Sequence, residues 1–204
     1  MALSTEEDLA EFIAELRRET DRGLPLVASA LIDDKLGETL RSFFCEGPSA
    51  AKLLDDGNAV LGTFSARIEA CFALGLIDEF EHREITLIRK IRNEFAHAKH
   101  GISFLAPRVQ GLCSGLACKL PEGGNYPVTD PRFRFMNSAV SIVLRLYHRP
   151  AWVGIERRSP KSWVSENIGQ WRNVKTDPPP VGQPVIVFGK NISVATWTGL
   201  KKDP

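Results

Sequence analysis

The segment KIRNEFAH, residues 90–97, contains an arginine and a histidine with four residues between them, Arg92 and His97. A guanidinium can hold a phosphate through two parallel hydrogen bonds and stabilise the charge that develops when a phosphodiester is cleaved. An imidazole that titrates near neutral pH can take the proton from a ribose 2′-hydroxyl. With Asn93 to orient either group, these residues are a candidate catalytic set for cutting RNA without a metal.

The same pair also has a structural interpretation, which we favour. Positions five apart on an ideal helix lie about 140° apart around the axis, so one helix does not aim both side chains at one phosphate. A catalytic site would need His97 beyond the helix end or a cleft shared by two chains. In the structural alternative, His97 donates to free carbonyls at the end of a helix. The arginines of neighbouring helices, Arg67 and Arg92, then pair with Glu94, Glu69 or Asp33–Asp34.

The composition of the chain indicates an ordinary globular protein. It has 204 residues, of which 43% are apolar and 25% charged, and its formal net charge is +1. A dedicated nucleic-acid binder needs a basic face, so this balance argues against direct binding to DNA or RNA. Direct binding to an acidic partner or to nucleic acid would still be possible through a local positive stripe toward the last helix. Its residues are Arg132, Arg134, Arg145, Arg149, Arg157 and Arg158.

The sequence predicts a cytoplasmic protein without a cofactor or a metal. Its start, MALSTEEDLAEF, is acidic and does not have the pattern of a signal peptide, and its apolar runs are too short to cross a bilayer. Four scattered cysteines, Cys45, Cys71, Cys113 and Cys118, are typical of buried free thiols. Cys113, Cys118 and His100 do not match a strong zinc spacing.

Helical periodicity runs from residue 4 to about residue 149. Apolar residues recur every three or four positions in DLAEFIAELRRE, PLVASALIDDKLGETLRSFF, GTFSARIEACFAL, LIDEFEHREITLIRKIRNEFAH and PRFRFMNSAVSIVLRLYHR. Ser4 with Glu7, Asp78 and Asp130 are candidate caps, and Gly75 is a natural left-handed helix end. The spacing therefore predicts a mainly α protein, a bundle of about five main helices.

The last quarter of the chain has a different pattern. Residues 151–170 are polar and interrupted by proline, which predicts a linker. The segment WRNVKTDPPPVGQPVIVFGKNISVATWTG, within residues 171–204, has short β-branched runs separated by proline and by Gly-Lys-Asn, which predict a small β-rich appendage. All four tryptophans of the chain fall in this last quarter, at positions 152, 163, 171 and 197. Large rings in so small a domain favour interfaces, so Trp171 and Trp197 are interaction candidates.

Residues 24–149 resemble the mannitol repressor family of bacterial proteins. The resemblance lies in LVASALIDDKLGETLRSFF, LGTFSARIEACFALGLID and EITLIRKIRNEFAH, in that order. It implies one all-helical domain, residues 1–150, that regulates transcription through a protein partner and not through direct DNA contact. The tail, with Trp171, DPPPVG, PVIVF and VATWTG, is similar to a small uncharacterised phage and bacterial β domain, which Pro204 would truncate.

The spacing of Arg92 and His97 also resembles the motif of the HEPN superfamily of helical ribonucleases, an arginine followed after a few residues by a histidine. That resemblance implies a metal-independent nuclease of a toxin or defence system. Our leading prediction is nevertheless a non-enzymatic interaction module of the mannitol repressor type. Its partner would be another protein, self-association as a homodimer stays open, and the candidate interaction residues are Arg67, Arg92, Glu94, Trp171 and Trp197.

Overall fold

The computed structural model describes residues 6–55, 58–99, 101–120, 124–161, 181–182, 184–188 and 192–196. The chain divides into two compact units, Met1–Ser159 and Pro160–Pro204. Helices of the first unit are α1 (Glu6–Arg18), α2 (Gly23–Phe43), α3 (Pro48–Leu54), α4 (Phe64–Ala73), α5 (Glu79–His97), α6 (Pro107–Ser114), α7 (Pro131–Leu146) and α8 (Arg149–Ile155). Five of these helices have ten or more residues. The predicted mainly α class is confirmed.

Helix α2 is the centre of the first unit, because α4, α5, α7 and α8 all pack against it. With 21 residues, α2 is also the longest of the described helices. The core is formed by apolar side chains spaced three or four apart on these helices, which include Leu24, Ile32, Leu36, Leu40, Ile68, Ile85, Ile88, Ile91, Phe95, Phe135, Ile142 and Leu146. Burial of this set against α2 is the main contribution to the stability of the unit.

The connection between α4 and α5 follows from two local signals in the sequence. Gly75 has a φ of 71°, and Leu76 N–H donates to the carbonyl of Cys71 at 2.8 Å, which ends α4 with a left-handed residue. Asp78 then caps α5: its side chain accepts from Glu81 N–H while the Glu81 carboxylate accepts from Asp78 N–H. Both predicted ends are confirmed, and they hold α5 against α4.

Two short helices occur where the sequence predicted none. Helix α6 lies in the segment that periodicity left unassigned, because only Val109 and Cys113 of its eight residues are buried. Helix α8 occupies the first positions of the predicted linker, 151–170. Pro150 suggested a stop, but proline is well suited to the first turn of a helix, where its missing N–H has no partner to lose.

The second unit contains an antiparallel β-hairpin. Strand β1 (Pro184–Phe188) pairs with β2 (Ile192–Thr196) in a register that sets Pro184 opposite Thr196 and Phe188 opposite Ile192. Both strands lie within the segment whose β-branched runs predict strands. Trp171 and Trp197 lie outside the described residues, as does the rest of the predicted linker from residue 162 onward.

Candidate functional site

Arg92 and His97 lie on one uninterrupted helix, α5, and both side chains are exposed. Their separation of five positions corresponds to about 140° around the axis and about 7.5 Å along it. The Arg92 guanidinium donates to Asn93 Oδ1 at 3.1 Å. Within a single chain the side chains of Arg92 and His97 therefore point to different sides of α5. Of the three candidate catalytic residues, Arg92 and Asn93 are hydrogen-bonded to each other.

The end of α5 is held by a residue that the sequence did not single out. His97 is the last residue of the helix, and none of the side-chain hydrogen bonds found among the described residues involves its imidazole. Arg22, from the turn before α2, donates instead to the carbonyl of Ala98 at 3.1 Å. Because Arg22 lies 76 positions from Ala98 in the chain, no local pattern could predict this contact.

Arg67 is fixed on three sides. Its Nε donates to the carbonyl of Leu61 at 2.9 Å, Nη1 to Asp33 Oδ1 at 3.1 Å, and Nη2 to the carbonyl of Leu54 at 3.4 Å. The side chain is only 15% exposed. Arg67 therefore joins α4 to α2 and to the chain before α4, and its donors are directed inward. The predicted pairing of Arg67 with Asp33 is present.

The charge of Arg92 acts on the same cluster. Burial raises the pKa of Asp33 above its ordinary value; the neighbouring Arg67 lowers it, Asp34 raises it, and Arg92 lowers it. Arg92 is thus near enough to α2 to favour the ionised form of Asp33. The ion pair of Asp33 with Arg67 joins α2 to α4, and Arg92, which is hydrogen-bonded to Asn93, lies on α5 near this pair.

The remaining carboxylates considered for these arginines have other partners. Glu94 pairs with Arg108, with 2.9 Å between Oε1 and Nε, and Glu69 lies 3.4 Å from His82 Nε2. The Arg108 side chain is largely exposed, so this ion pair contributes little to stability. Glu94, an interaction candidate, is therefore part of a surface ion pair between α5 and α6.

Most members of the predicted positive stripe are bound within the protein. Arg132 donates to Asp21 at 3.1 Å and to the carbonyl of Glu19 at 2.5 Å. Arg134 donates to the carbonyls of Cys113, Ser114 and Leu116, which lie at the end of α6. Guanidinium groups bound in this way close helix ends and turns, and they leave few donors for a phosphate backbone.

Two further arginines fasten α8 at both ends. Arg149 forms two hydrogen bonds with the Glu81 carboxylate, at 2.7 and 3.1 Å, and a third with the carbonyl of Leu76 at 2.6 Å. Arg157 donates to the carbonyl of Ser42 at 2.9 Å and pairs with Glu46. Arg149 therefore joins the first residue of α8 to α5, and Arg157, two residues after the end of α8, joins the chain to the end of α2.

The outer face of α8 carries large apolar side chains. Trp152 is 59% exposed and Ile155 is 86% exposed, whereas Val153 between them is 8% exposed and packs inward. Beside Trp152 is an open groove of about 450 Å³, which Phe43, Leu74, Leu76 and Val153 line together with Arg149, Glu156 and Arg158. We call Trp152, Ile155 and this groove the α8 surface.

Comparison with known proteins gives one structural likeness. No protein-family model matches the chain, and no curated protein matches it. A chain in the structure of the MtlR–HPr complex from Escherichia coli is similar over 72% of this chain and 98% of its own length, with 19% sequence identity and a TM-score of 0.48. The resemblance of residues 24–149 to the mannitol repressor family remains a prediction from the sequence.

The cysteines and other possible ligands offer no assembled site. Burial raises the pKa of the Cys71 and Cys113 thiols to about 12 and that of Cys118 to about 11, so these thiols are protonated at neutral pH. The described residues contain no group of three or more metal-binding side chains, and His100 lies outside them. None of the described helices has the length and apolar character needed to span a membrane.

Proposed function

We propose that this chain is a non-enzymatic interaction module that acts in transcriptional regulation by binding another protein. The regulatory role rests on the resemblance of residues 24–149 to the mannitol repressor family. The binding role rests on one observation, the exposed Trp152 on a helix that Arg149 and Arg157 hold rigidly in place. Exposed tryptophans are typical anchors of protein interfaces, and Trp152 also lines the open groove next to α8.

The rigidity of α8 supports this role. A side chain that is already fixed in its binding position loses less conformational entropy when a partner docks. Val153 packs into the core on one side of α8, and the hydrogen bonds of Arg149 reach both Glu81 and the carbonyl of Leu76. Trp152 is therefore presented from a fixed backbone, which favours binding without a large rearrangement.

The ribonuclease alternative is less well supported by the arrangement of α5. Arg92 and His97 diverge on one helix, and the polar neighbours of Arg92 are Asn93 and the acidic cluster of α2. A nuclease would need a second chain to bring a histidine toward Arg92. The inward-directed donors of Arg67 supply no additional phosphate contact.

Binding through Trp152 can be tested with a matched pair of variants. The full chain, tagged, is used to capture proteins from its own host; the captured protein is then purified separately and titrated against wild type, Trp152→Ala and Leu105→Ala. Leu105 is 70% exposed and lies between α5 and α6, so it controls for the loss of any exposed apolar side chain. We expect Trp152→Ala to weaken binding about tenfold or more and Leu105→Ala to leave it unchanged.

The proposal fails if the purified partner binds Trp152→Ala as tightly as wild type, or if no captured protein binds again after purification. Both variants are first compared with wild type by thermal unfolding. Trp152 and Leu105 are both more than half exposed, so neither substitution leaves a buried cavity.

A further inference from the structure

The connection between α6 and α7 is long, and it contains no helix or strand in the part that the structure describes. It begins at Gly115 and reaches α7 at Asp130, the residue that caps this helix. In compact domains, connections of more than about 12 residues without secondary structure are uncommon, and many of them form binding sites. The connection between α6 and α7 therefore has the length expected of a binding loop.

A buried carboxyl group fixes the start of this connection. Glu84 of α5 is fully buried, and its Oε1 accepts from Ala117 N–H at 2.8 Å. Its Oε2 accepts from the hydroxyl of Ser138 on α7 at 2.5 Å. Because both oxygens have a partner inside the protein, the role of Glu84 is to hold the connection between α5 and α7.

Two side chains of α7 hold the neighbouring backbone. Arg134 donates to the carbonyl of Leu116 at 2.6 Å, and Nδ2 of Asn137 donates to the carbonyl of Cys118 at 3.3 Å. Together with Ala117, three consecutive residues of the connection are therefore bonded to side chains of the adjacent helices. A wall that is fixed before a ligand arrives loses little conformational entropy when the ligand binds.

A cavity of about 230 Å³ lies between this connection and the first half of α7. A protein cavity of about 150 Å³ accepts benzene, so this one has room for a six-membered ring with one small polar substituent. The large apolar side chains that line it are Leu116, Leu120, Val128 and Phe133. The size and these walls favour a small, partly apolar molecule.

The polar residues that line the cavity provide a positive charge and hydrogen-bond donors. Arg134 is the one charged residue among the described lining residues, and three of the five N–H groups of its guanidinium donate to carbonyls. None of the hydrogen bonds found among the described residues involves Nη1 of Arg134, and Asn137 Nδ2 uses one of its two N–H groups. Both residues are partly buried, where water and salt screen a charge less than at the surface. The cavity therefore favours an anionic group.

Cys118 also lines the cavity, and it adds no opposing charge. Burial raises the pKa of its thiol to about 11, so the thiol is neutral at pH 7. Its sulfur lies 3.6 Å from the hydroxyl oxygen of Ser138. A protonated thiol packs like a small apolar group, so Cys118 extends the apolar wall.

We propose that this cavity binds a small apolar carboxylate. The apolar part of the ligand contacts Leu120, Val128 and Phe133, and its carboxylate accepts from Arg134 and from the second N–H of Asn137 Nδ2. This inference goes beyond the proposed function, because Trp152 does not line the cavity.

Three compounds of nearly the same shape test the size and the charge of the ligand. Benzoate is negative at pH 7, benzamide is neutral and benzamidine is positive. Each is titrated into the full-length, ¹⁵N-labelled chain and followed by NMR. We expect benzoate to bind at least about tenfold more tightly than either of the other two, because a charge-assisted hydrogen bond to a carboxylate is stronger than one to a neutral amide. The amide signals of residues 116–118 and 133–137 should shift, and those of Val60 and Leu105 should not.

A pair of matched variants tests the site. Asn137→Asp introduces a negative charge into the cavity, and Asn125→Asp introduces the same charge in the same connection, at an exposed residue that does not line the cavity. We expect Asn137→Asp to weaken benzoate binding about tenfold or more and to abolish the preference for benzoate over benzamidine. Asn125→Asp should leave both affinities within about twofold of wild type. Thermal unfolding of both variants checks that the fold is intact.

The results that would overturn the inference are distinct from those that test the proposed function. Equal affinity for the three compounds, no binding of benzoate at concentrations up to about 10 mM, or equal effects of Asn137→Asp and Asn125→Asp would each overturn it. None of these results bears on the capture of a partner through Trp152. Conversely, Trp152→Ala should bind benzoate as wild type does, so a failure of the proposed function leaves the cavity as a binding site.

Discussion

Arginine side chains in this protein close the ends of helices and turns. Seven of them in the described residues donate to backbone carbonyls: Arg22, Arg67, Arg83, Arg132, Arg134, Arg149 and Arg157. The last carbonyls of a helix have no partner within it, and the planar guanidinium can satisfy several at once. This structural use of arginine explains why a basic sequence segment does not become a free basic surface.

Replacement of Arg67 by lysine tests this structural role. Lysine retains the positive charge, but a single ammonium group cannot reach Leu61, Asp33 and Leu54 together. We expect Arg67→Lys to lower the free energy of unfolding by about 1–3 kcal/mol, measured by urea denaturation. Arg92→Lys is the control: Arg92 is exposed, and among the described residues its side chain is bonded only to Asn93, so its effect should stay within about 0.5 kcal/mol. Equal effects of the two substitutions would show that Arg67 has no special role.

The half-buried carboxyl of Asp33 should give a pH-dependent signature. Burial raises its pKa in the folded state, so ionisation costs more there than in the unfolded chain. The contribution of Asp33 to stability is therefore largest below its ordinary pKa of about 4, and it declines as the pH rises through the raised value. We expect the difference in unfolding free energy between wild type and Asp33→Asn to decrease from about pH 4 to about pH 7. An increase over that range would mean that the attraction of Arg67 outweighs burial.

The sequence identified part of this cluster and missed the rest for a physical reason. The pairing of Arg67 with an acid of α2 could be predicted, because both occur on helices whose apolar stripes must face each other. The hydrogen bonds of Arg67 to the carbonyls of Leu54 and Leu61 could not be predicted, since the path of the chain between α3 and α4 depends on tertiary packing. The hydrogen bond of Arg22 to the carbonyl of Ala98 could not be predicted for the same reason, because these two residues are adjacent only in the folded protein.

Helix α8 illustrates how an element of seven residues can be stable. A helix so short does not form alone in water, so its stability comes from tertiary contacts. Glu81 is central to these contacts, because the same carboxylate caps α5 by accepting from Asp78 N–H and binds Arg149 from α8. One side chain thereby links the start of α5 to the start of α8.

Substitution of Glu81 by glutamine should separate these two roles. Glutamine can still accept from Asp78 N–H, but it leaves the Arg149 guanidinium, 19% exposed, without its countercharge. We expect Glu81→Gln to destabilise the protein by about 3 kcal/mol, the usual cost of breaking a buried ion pair. Amide hydrogen exchange should increase in α8 more than in α5. Uniform exchange in both helices would contradict the assignment of Glu81 as the anchor of α8.

Helix ends were easier to predict than short helices. The acids Asp78 and Asp130 cap α5 and α7 as their positions indicated, because a side-chain cap depends on residues within one turn. Helix α8 was read as linker, since its single buried residue, Val153, gives no periodicity and Pro150 suggested a break. Its stability depends on Glu81, which is 68 positions away from Arg149.

On the scale of the whole helical unit, the two candidate sites differ in how their groups are arranged. The α5 site places Arg92 and His97 on different sides of one helix, whereas the α8 surface brings Trp152, Ile155 and a groove together. Convergence of groups on one point is what catalysis requires, and an exposed apolar centre with a charged rim is what protein docking requires. Their distribution over the unit therefore favours docking.

A direct assay for RNA cleavage separates these functions. We expect the purified full-length chain to leave single-stranded and structured RNA intact, because nothing in α5 positions His97 to deprotonate a 2′-hydroxyl at a phosphate bound by Arg92. Any residual cleavage should be the same in wild type, Arg92→Ala and His97→Ala, since it would come from a contaminating nuclease. Cleavage that each substitution abolishes, while thermal unfolding shows an intact fold, would establish a nuclease built from two chains.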